Sequence, residues 1–420
     1  MSKKRKKKPG KSGRSQGLRP QSDLFRPAPD LGEQAAAFLG LSAFREQIGA
    51  QKDANAAALA TDLVADLVKV MADRPDTIVE DALCERLGTL MTEARKAPVD
   101  ERVSPLHLAE ALVTAAEDAV ATNAGQPEAW RVLTALVCVL PYPYGEAAGD
   151  AVARLRDEAA GRVPPPGPEV AGQVLWTRDR YGSRFAVVAP ITAEGRPARW
   201  YLWDVDTCGH QAFTVHSGFH PTPEAALADW QAGVGWIAAD GTDLAPVEDP
   251  SLLAALMPLE EGVLRAGGES ADQFAEYYRS KRLGELVKQA VPWQEVSQGL
   301  TAAAAAVEFA EWLRAGGQEL SDELAGELAD SWSINNIDAV YGACSPHRVA
   351  LCAGHMGNYY EGEFAEQLVA LLPDWIRWLA ERNATPPELA DRCLAYAHGE
   401  THPQIDREGS DPHYLARVIE

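Results

Sequence analysis

The run Pro164-Pro165-Pro166-Gly167-Pro168 divides the chain into parts whose apolar residues recur with different periods. Proline lacks a backbone donor and fixes φ, so no helix passes through such a run and an extended conformation is favoured. From residue 31 to 162 the spacing is helical. Leu59, Leu63, Leu67, Val70 and Met71 form one stripe, and Val79, Leu83, Leu87, Leu90 and Met91 form another. Thr77 and Glu80 stand as a capping box for the second stripe, and the two helices are expected to pack as an antiparallel pair. Ser104-Pro105 opens a further helix, and Pro127 to Leu140, with Trp130 and Leu133, reads as another. No fixed repeat period recurs along this region.

Beyond the prolines the period is that of strands. Val174–Thr177, Arg184–Ile191, Arg199–Val205 and Ala212–His216 are short β-branched or aromatic runs separated by glycine-containing turns, which predicts a four-stranded antiparallel meander. Thr222-Pro223 caps a helix through Ala226, Leu227 and Trp230 that can cover one sheet face. Five of the eleven tryptophans lie between 176 and 236, so the module should have an aromatic core of its own. From about Pro250 helical spacing returns, with Phe309, Trp312 and Leu313 on one helix, Leu324, Leu328 and Trp332 after Ser321 on the next, and a stripe from Phe364 to Trp375 interrupted at Pro373. The expected fold class is therefore α+β, predominantly α-helical, with two helical domains flanking a small β-meander plus helix. The expected organisation is a basic tail over 1–30, a helical domain over 31–162, a proline-rich linker over 163–170, the β module over 171–237, a helical domain over 250–398 and a polar tail over 399–420.

Charge is distributed unevenly. Residues 1–20 hold nine of the 39 Lys and Arg residues and none of the 61 acids, so the segment is +9 while the rest, with 30 basic against 61 acidic groups, is -31. A block of like charges with Gly, Ser and Pro buries too little apolar surface to offset its ordering entropy, so the tail is expected to be disordered. Lys3, Lys4, Arg5, Lys6, Lys7 and Lys8 suit a polyanionic partner such as nucleic acid or the ribosome surface, bound without sequence specificity and in a salt-dependent way. A solubilising tail and association with the acidic body are the other readings of the same charges. Six cysteines without a C-x-x-C pair fit free thiols in a reducing compartment, hence a cytoplasmic location. No apolar run approaches the roughly 20 residues that a membrane helix requires, and no apolar segment follows the N-terminal lysines as in a secretory signal.

Three segments carry ligand-type residues. Cys344, His347, Cys352 and His355 form a C-x2-H-x4-C-x2-H arrangement that could bind zinc, although Ser345-Pro346 predicts a helix start that keeps one continuous helix from wrapping all four around an ion. Cys208, His210, His216 and His220 surround the last hairpin and form a second metal candidate, against the plainer reading of turn and surface residues. Asp204-Val205-Asp206-Thr207 is similar to the nucleophile motif of haloacid dehalogenase-like phosphatases, but Cys208 occupies the position that needs Thr or Val, and a meander lacks the parallel sheet that motif requires. P-loop, dinucleotide-glycine and H-E-x-x-H sequences are absent, and the G-x-S-x-G match Gly13-Arg14-Ser15-Gln16-Gly17 falls in the basic tail, away from any strand-to-helix turn.

The stretch Ser217-Gly218-Phe219-His220-Pro221-Thr222-Pro223 through Trp230 resembles the last strand and helix start of the sheet-plus-helix DNA-binding domains of Apetala-type plant transcription factors and phage integrase arms. That resemblance implies a sheet whose Arg and Trp side chains enter the major groove, which by position would be Arg178, Arg180, Arg184, Arg199 and Trp200. Asp179, Glu194, Asp204 and Asp206 nearly cancel these arginines, and a fourth strand departs from the pattern. Cys344 to Val349 and Leu372 to Leu379 are similar to tails of uncharacterised proteins of high-GC bacteria, which implies no activity. The expected function is thus an interaction or regulatory protein with no cofactor, attached to a polyanion through its tail. The alternative is a metal-binding protein or an enzyme of unfamiliar type centred on the Cys344–His355 segment.

Overall fold

A computed structural model describes residues 42–74, 76, 78–94, 96, 102–122, 127–155, 167–193, 197–208, 212–239, 242–247, 250–257, 271–291, 299–333 and 338–399. The fold is α+β and mostly helical, as its periodicities predict. Helices α1 (Ser42–Asp73), α2 (Val79–Ala94), α3 (Pro105–Thr122), α4 (Pro127–Val139) and α5 (Tyr144–Arg154) share one core built around Leu67, Leu83, Leu112 and Leu133. The expected caps are present where described, with Ser104 Oγ accepting the backbone N–H of His107. Thr77, of the expected capping box, lies outside the described residues.

The sheet carries β1 (Glu169–Val170), β2 (Leu175–Arg178), β3 (Arg184–Thr192), β4 (Arg199–Asp206), β5 (Phe213–His220) and β6 (Ala245–Pro246). Its order is β5-β4-β3-β2-β6, with β1 antiparallel to the far end of β3. The four predicted strands are its centre. Two short strands extend it, too brief to show a period of their own. Strand β5 runs on to His220 because Gly218 and Ser217 keep pairing with Leu202 and Trp203. Pro190 is tolerated inside β3 because it lies where that strand changes neighbour from β2 to β1.

Both sheet faces are covered. Phe185, Val187, Tyr201, Trp203 and Val205 pack against α8 (Pro250–Leu256) and α9 (Ala271–Ala290) through Leu253, Leu256, Leu283 and Val287. Ala186, Val188 and Leu202 pack against α6 (Pro223–Val234) and α7 (Trp236–Ala239) through Ala226, Trp230, Val234 and Ala238. Burial on both sides explains why β3 reads as an unbroken apolar run rather than an alternation. Thr222 caps α6 as predicted, its Oγ1 accepting the Ala225 N–H at 3.2 Å.

Helices α10 (Ala302–Ala315), α11 (Asp322–Trp332), α12 (Pro346–Tyr359), α13 (Gly362–Arg382) and α14 (Pro387–Ala397) enclose an aromatic core of Phe309, Trp332, Trp375 and Trp378. Pro373 lies within α13, which stays helical on both sides of it. Among the described residues no helix is long and apolar enough to cross a membrane.

Helix α9 joins the parts. Its Phe274, Tyr277 and Tyr278 belong to the N-terminal core, whereas Leu283 and Val287 belong to the core under the sheet. The principal partner of α2 is α9 rather than α1, which corrects the expected antiparallel pair. The reason is Gly88: a Cβ there would overlap the Ala271 carbonyl oxygen and lie 2.9 Å from Ala275 Cβ. Gly88→Ala is therefore expected to destabilise the protein by about 1–3 kcal/mol through overpacking, read as a lower urea midpoint with an unchanged m-value.

Candidate functional site

Where the ends of β2, β3 and β4 meet α12, a group of polar side chains is buried. Asp179 closes the β2–β3 turn: its Oδ1 accepts the backbone N–H groups of Ser183 and Arg184 at 2.7 and 3.0 Å, and Gly182 between them takes φ 70°. The Arg184 guanidinium then reaches across to β4, donating from Nε and Nη2 to the two Asp204 oxygens at 2.8 and 2.6 Å. Trp230 Nε1 on α6 donates to the same Asp204 at 3.1 Å, so the carboxylate has three donors. At the end of β4, Thr207 donates to the Ser183 carbonyl, and Asp206 accepts the Cys208 N–H.

Helix α12 closes this cluster from the other side. Ser345 caps it as predicted, accepting the Arg348 N–H at 3.3 Å, and the Ser345 hydroxyl also lies 3.0 Å from Cys208 Sγ. Arg348, 1% exposed, donates to the carbonyls of Val340 and Trp332 at 2.7 and 3.0 Å and lies over the Trp332 ring. Cys393 on α14 donates to the Cys344 carbonyl, and Cys352 to that of Ser331. A guanidinium buried in this way is held by carbonyl acceptors at loop ends, which secures segments that have no sheet or helix ladder of their own.

The electrostatics set what this cluster can do. Burial pushes the Cys352 thiol up to about 12 and holds the Cys393 thiol well above its ordinary range, so neither supplies a thiolate nucleophile near neutrality. Burial, with the Arg184 charge next, lowers His347 to about 3, leaving it neutral. Burial raises Asp179 to about 6 against the opposing hydrogen bonds of its turn. The arrangement fixes the sheet to the C-terminal helices through the Ser345–Cys208 contact, and burial keeps the Cys352 and Cys393 thiols protonated.

Of the expected zinc ligands, Cys344, His347 and Cys352 are buried, while His355 is half-buried and stacked on Tyr359 at 5.4 Å. They share one continuous helix and the residues before it. Among the described residues no group of three or more His, Cys, Asp or Glu side chains lies where it could hold a metal ion. Of the second candidate group, Cys208 lies in the buried cluster, His210 is outside the described residues, and His216 and His220 face Asp229 on α6.

The five sheet residues expected at a DNA surface are dispersed. Arg178 is exposed at the end of β2, Arg180 pairs with Glu388 at 2.7 Å, and Arg184 is buried on Asp204. Arg199 pairs with Asp81 at 2.8 Å and lies over Phe219, and Trp200 packs into the α6-side core. The face that would meet a groove in the resembled domains is occupied here by α8 and α9. Lys3 to Lys8 lie outside the described residues.

Sequence reasoning did not identify Asp204, Trp230, Ser345 and Arg348 as one cluster. The available signal was an acid at 204 inside the apolar run Trp200–Val205, since a charge on a strand buried on both faces requires a counter-ion. Comparison of the chain with family models, with curated proteins and with solved structures gives no match.

Asp204→Ala is expected to cost about 3–5 kcal/mol, because Arg184 stays buried without its counter-ion, while Arg184→Met with Asp204→Leu should recover a large part of that loss in urea unfolding. Asp179 and His347 oppose each other with pH. From 3.8 to about 6 the folded chain keeps a proton on Asp179 that the unfolded chain releases, so this contribution is complete below 3.8 and lost as pH rises through about 6. From about 3 to 6.5 the unfolded chain protonates His347 and the folded chain does not, so that contribution is complete above 6.5 and lost on acidification. Asp179→Asn should therefore make the melting temperature rise more steeply than wild type as pH increases across the first of these windows.

Proposed function

We propose that this chain is a non-enzymatic interaction protein that attaches to a polyanion, nucleic acid or a ribosomal RNA surface, through the basic segment Lys3 to Arg19. The observation that carries this reading is the charge division, +9 in residues 1–20 against -31 in the remainder. Lysine and arginine neutralise phosphates and release condensed counterions, giving affinity without sequence readout. The body contributes repulsion. Residues 299–399 hold 15 acids, five arginines and no lysine. Three of those arginines are committed, Arg348 in the interior, Arg377 to Asp374 and Arg382 to Glu308. An acidic body of this kind confines contact with a polyanion to the basic segment and leaves the helical surfaces for protein partners.

The buried cluster is in keeping with the same reading, because burial holds its Cys352 and Cys393 thiols protonated and, with the Arg184 charge next, keeps the His347 imidazole neutral. Six free cysteines are in keeping with a reducing compartment.

Fluorescence anisotropy with mixed-sequence RNA and duplex DNA tests the proposal. The full chain is expected to bind both with little sequence preference and with a log–log salt slope of up to about -8 on duplex DNA, the limit for nine neutralised phosphates. Deleting residues 1–20 should abolish binding at physiological salt. Equal affinity with and without the segment would overturn the assignment.

A further inference from the structure

We infer that Leu106, Tyr142, Glu146 and Arg282 form a docking site for an uncharged, extended peptide segment of a protein partner, where α3 and the α4–α5 turn meet α9. The site gives the protein partners of the proposed function a place and a chemistry. It rests on that part of the reading and not on the basic segment.

Tyr142 and Leu106 are 70% and 50% exposed, two of the few large apolar side chains that the described residues leave open. Both are carried to one face of α9. The carbonyl of Pro105, next to Leu106, accepts the Tyr278 hydroxyl, and the Tyr142 backbone N–H donates to the Glu285 carboxylate at 3.2 Å. Tyr278, Arg282 and Glu285 are spaced i, i+4 and i+7, a stripe of α9 about 10 Å long with Arg282 near its middle. An extended peptide covers that distance with about three residues.

Arg282 carries the argument. Its side chain is 14% exposed, and its Cζ lies 3.7 Å from where a Cβ on Gly145 would stand, so the guanidinium rests against the turn. Its charge is balanced, with Nη1 3.8 Å from Glu146 and 3.7 Å from Glu285. Its hydrogen bonding is not balanced. Both distances exceed hydrogen-bond range, and Nε is buried without a partner. A mostly buried guanidinium whose N–H groups have no directed acceptor is costly, and since its charge is already matched, the acceptor it lacks is a neutral one. Glu146 stands beside it, 52% exposed, with acceptor oxygens that Arg282 meets only at ion-pair distance.

A peptide group supplies what each of these side chains lacks, a carbonyl for Arg282 and an N–H for Glu146. An acidic segment would be opposed by Glu146, Glu285 and the excess of acids in the body, and a basic one would be opposed by Arg282 and leave its donors unused. The apolar side chains of the segment would lie on Tyr142 and Leu106. Tyrosine and arginine are also among the residue types that contribute most where proteins bind one another.

The test pans a phage-displayed library of random linear dodecapeptides against the full chain, then measures a synthetic, dye-labelled copy of the most enriched peptide by fluorescence anisotropy. Enriched sequences are expected to carry large apolar residues and few charges. Binding should weaken more than about tenfold in Tyr142→Ala and in Arg282→Met, and stay unchanged in Val307→Ser, which alters an exposed apolar position on α10. Deleting residues 1–20 should leave peptide binding intact while it removes polyanion binding, so the two readings fail separately. Circular dichroism of each variant reports folding; should Arg282→Met be unfolded, Tyr142→Ala, in an exposed turn, decides the question. A library that enriches no peptide, or an enriched peptide held by folded Tyr142→Ala as tightly as by the wild-type chain, would overturn the proposal.

Discussion

Arg279 holds the molecule together at the point where three of its parts meet. It is 6% exposed, extends from the middle of α9, and pairs with Asp81 on α2 and with Glu276 one turn earlier on its own helix. Glu276 also accepts the Tyr201 hydroxyl from β4, and Asp81 receives Arg199 from the same strand. Burial alone would raise the Asp81 carboxyl, but the Arg199 hydrogen bond and the Arg279 charge bring it below its ordinary value. The two guanidinium groups also lie against Phe219, at 3.9 Å for Arg199 and 5.0 Å for Arg279. A buried charge removed from this set leaves its partners unpaired in a low-dielectric region, so the network constrains how the N-terminal helices, α9 and the sheet can meet.

The Arg184–Asp204 pair plays the corresponding part on the other side of the sheet. Apolar packing alone would tolerate several placements of α6 over the strands, because Ala186, Val188 and Leu202 offer a smooth surface. The Trp230 indole N–H on Asp204 selects one of them. The Ser345 hydroxyl, 3.0 Å from Cys208 Sγ, then ties the start of α12 to the same end of the sheet, whose turn Asp179 and Thr207 close through Ser183 and Arg184. Specificity of arrangement, more than net stability, is what buried polar groups of this kind supply here: the hydrophobic clusters on either side give bulk cohesion, and the directed bonds give register.

Much of the local structure was legible because its causes are local. Ser104, Thr222, Ser321 and Ser345 each cap the helix that the following residues predict, and the four central strands follow from β-branched and aromatic runs. What was not legible depends on residues far apart in the chain. Gly88 carries no periodicity signal, yet it determines that α2 packs on α9, and Asp81 meets Arg279 across 198 residues. The arginines of the sheet were read as a surface because an isolated strand does not disclose what covers its second face. The histidines of β5 were recognised as ligand-type residues, but grouped with Cys208 and His210 by proximity in sequence. Only the return of α6 over β5 brings Asp229 to them.

The distribution of charge follows from the same packing. Arg184, Arg199 and Arg279 are committed to Asp204, Asp81 and Glu276, so these pairs cancel and the excess of acids in the body rests on its other residues. A strongly acidic surface repels nucleic acid over about a Debye length, roughly 8 Å at physiological ionic strength. A polyanion held by the basic segment, as proposed, would therefore be kept off the helices by the charges that surround them. On the proposed reading, attachment would depend on the segment and weaken with salt, and the helical faces would stay free for protein partners.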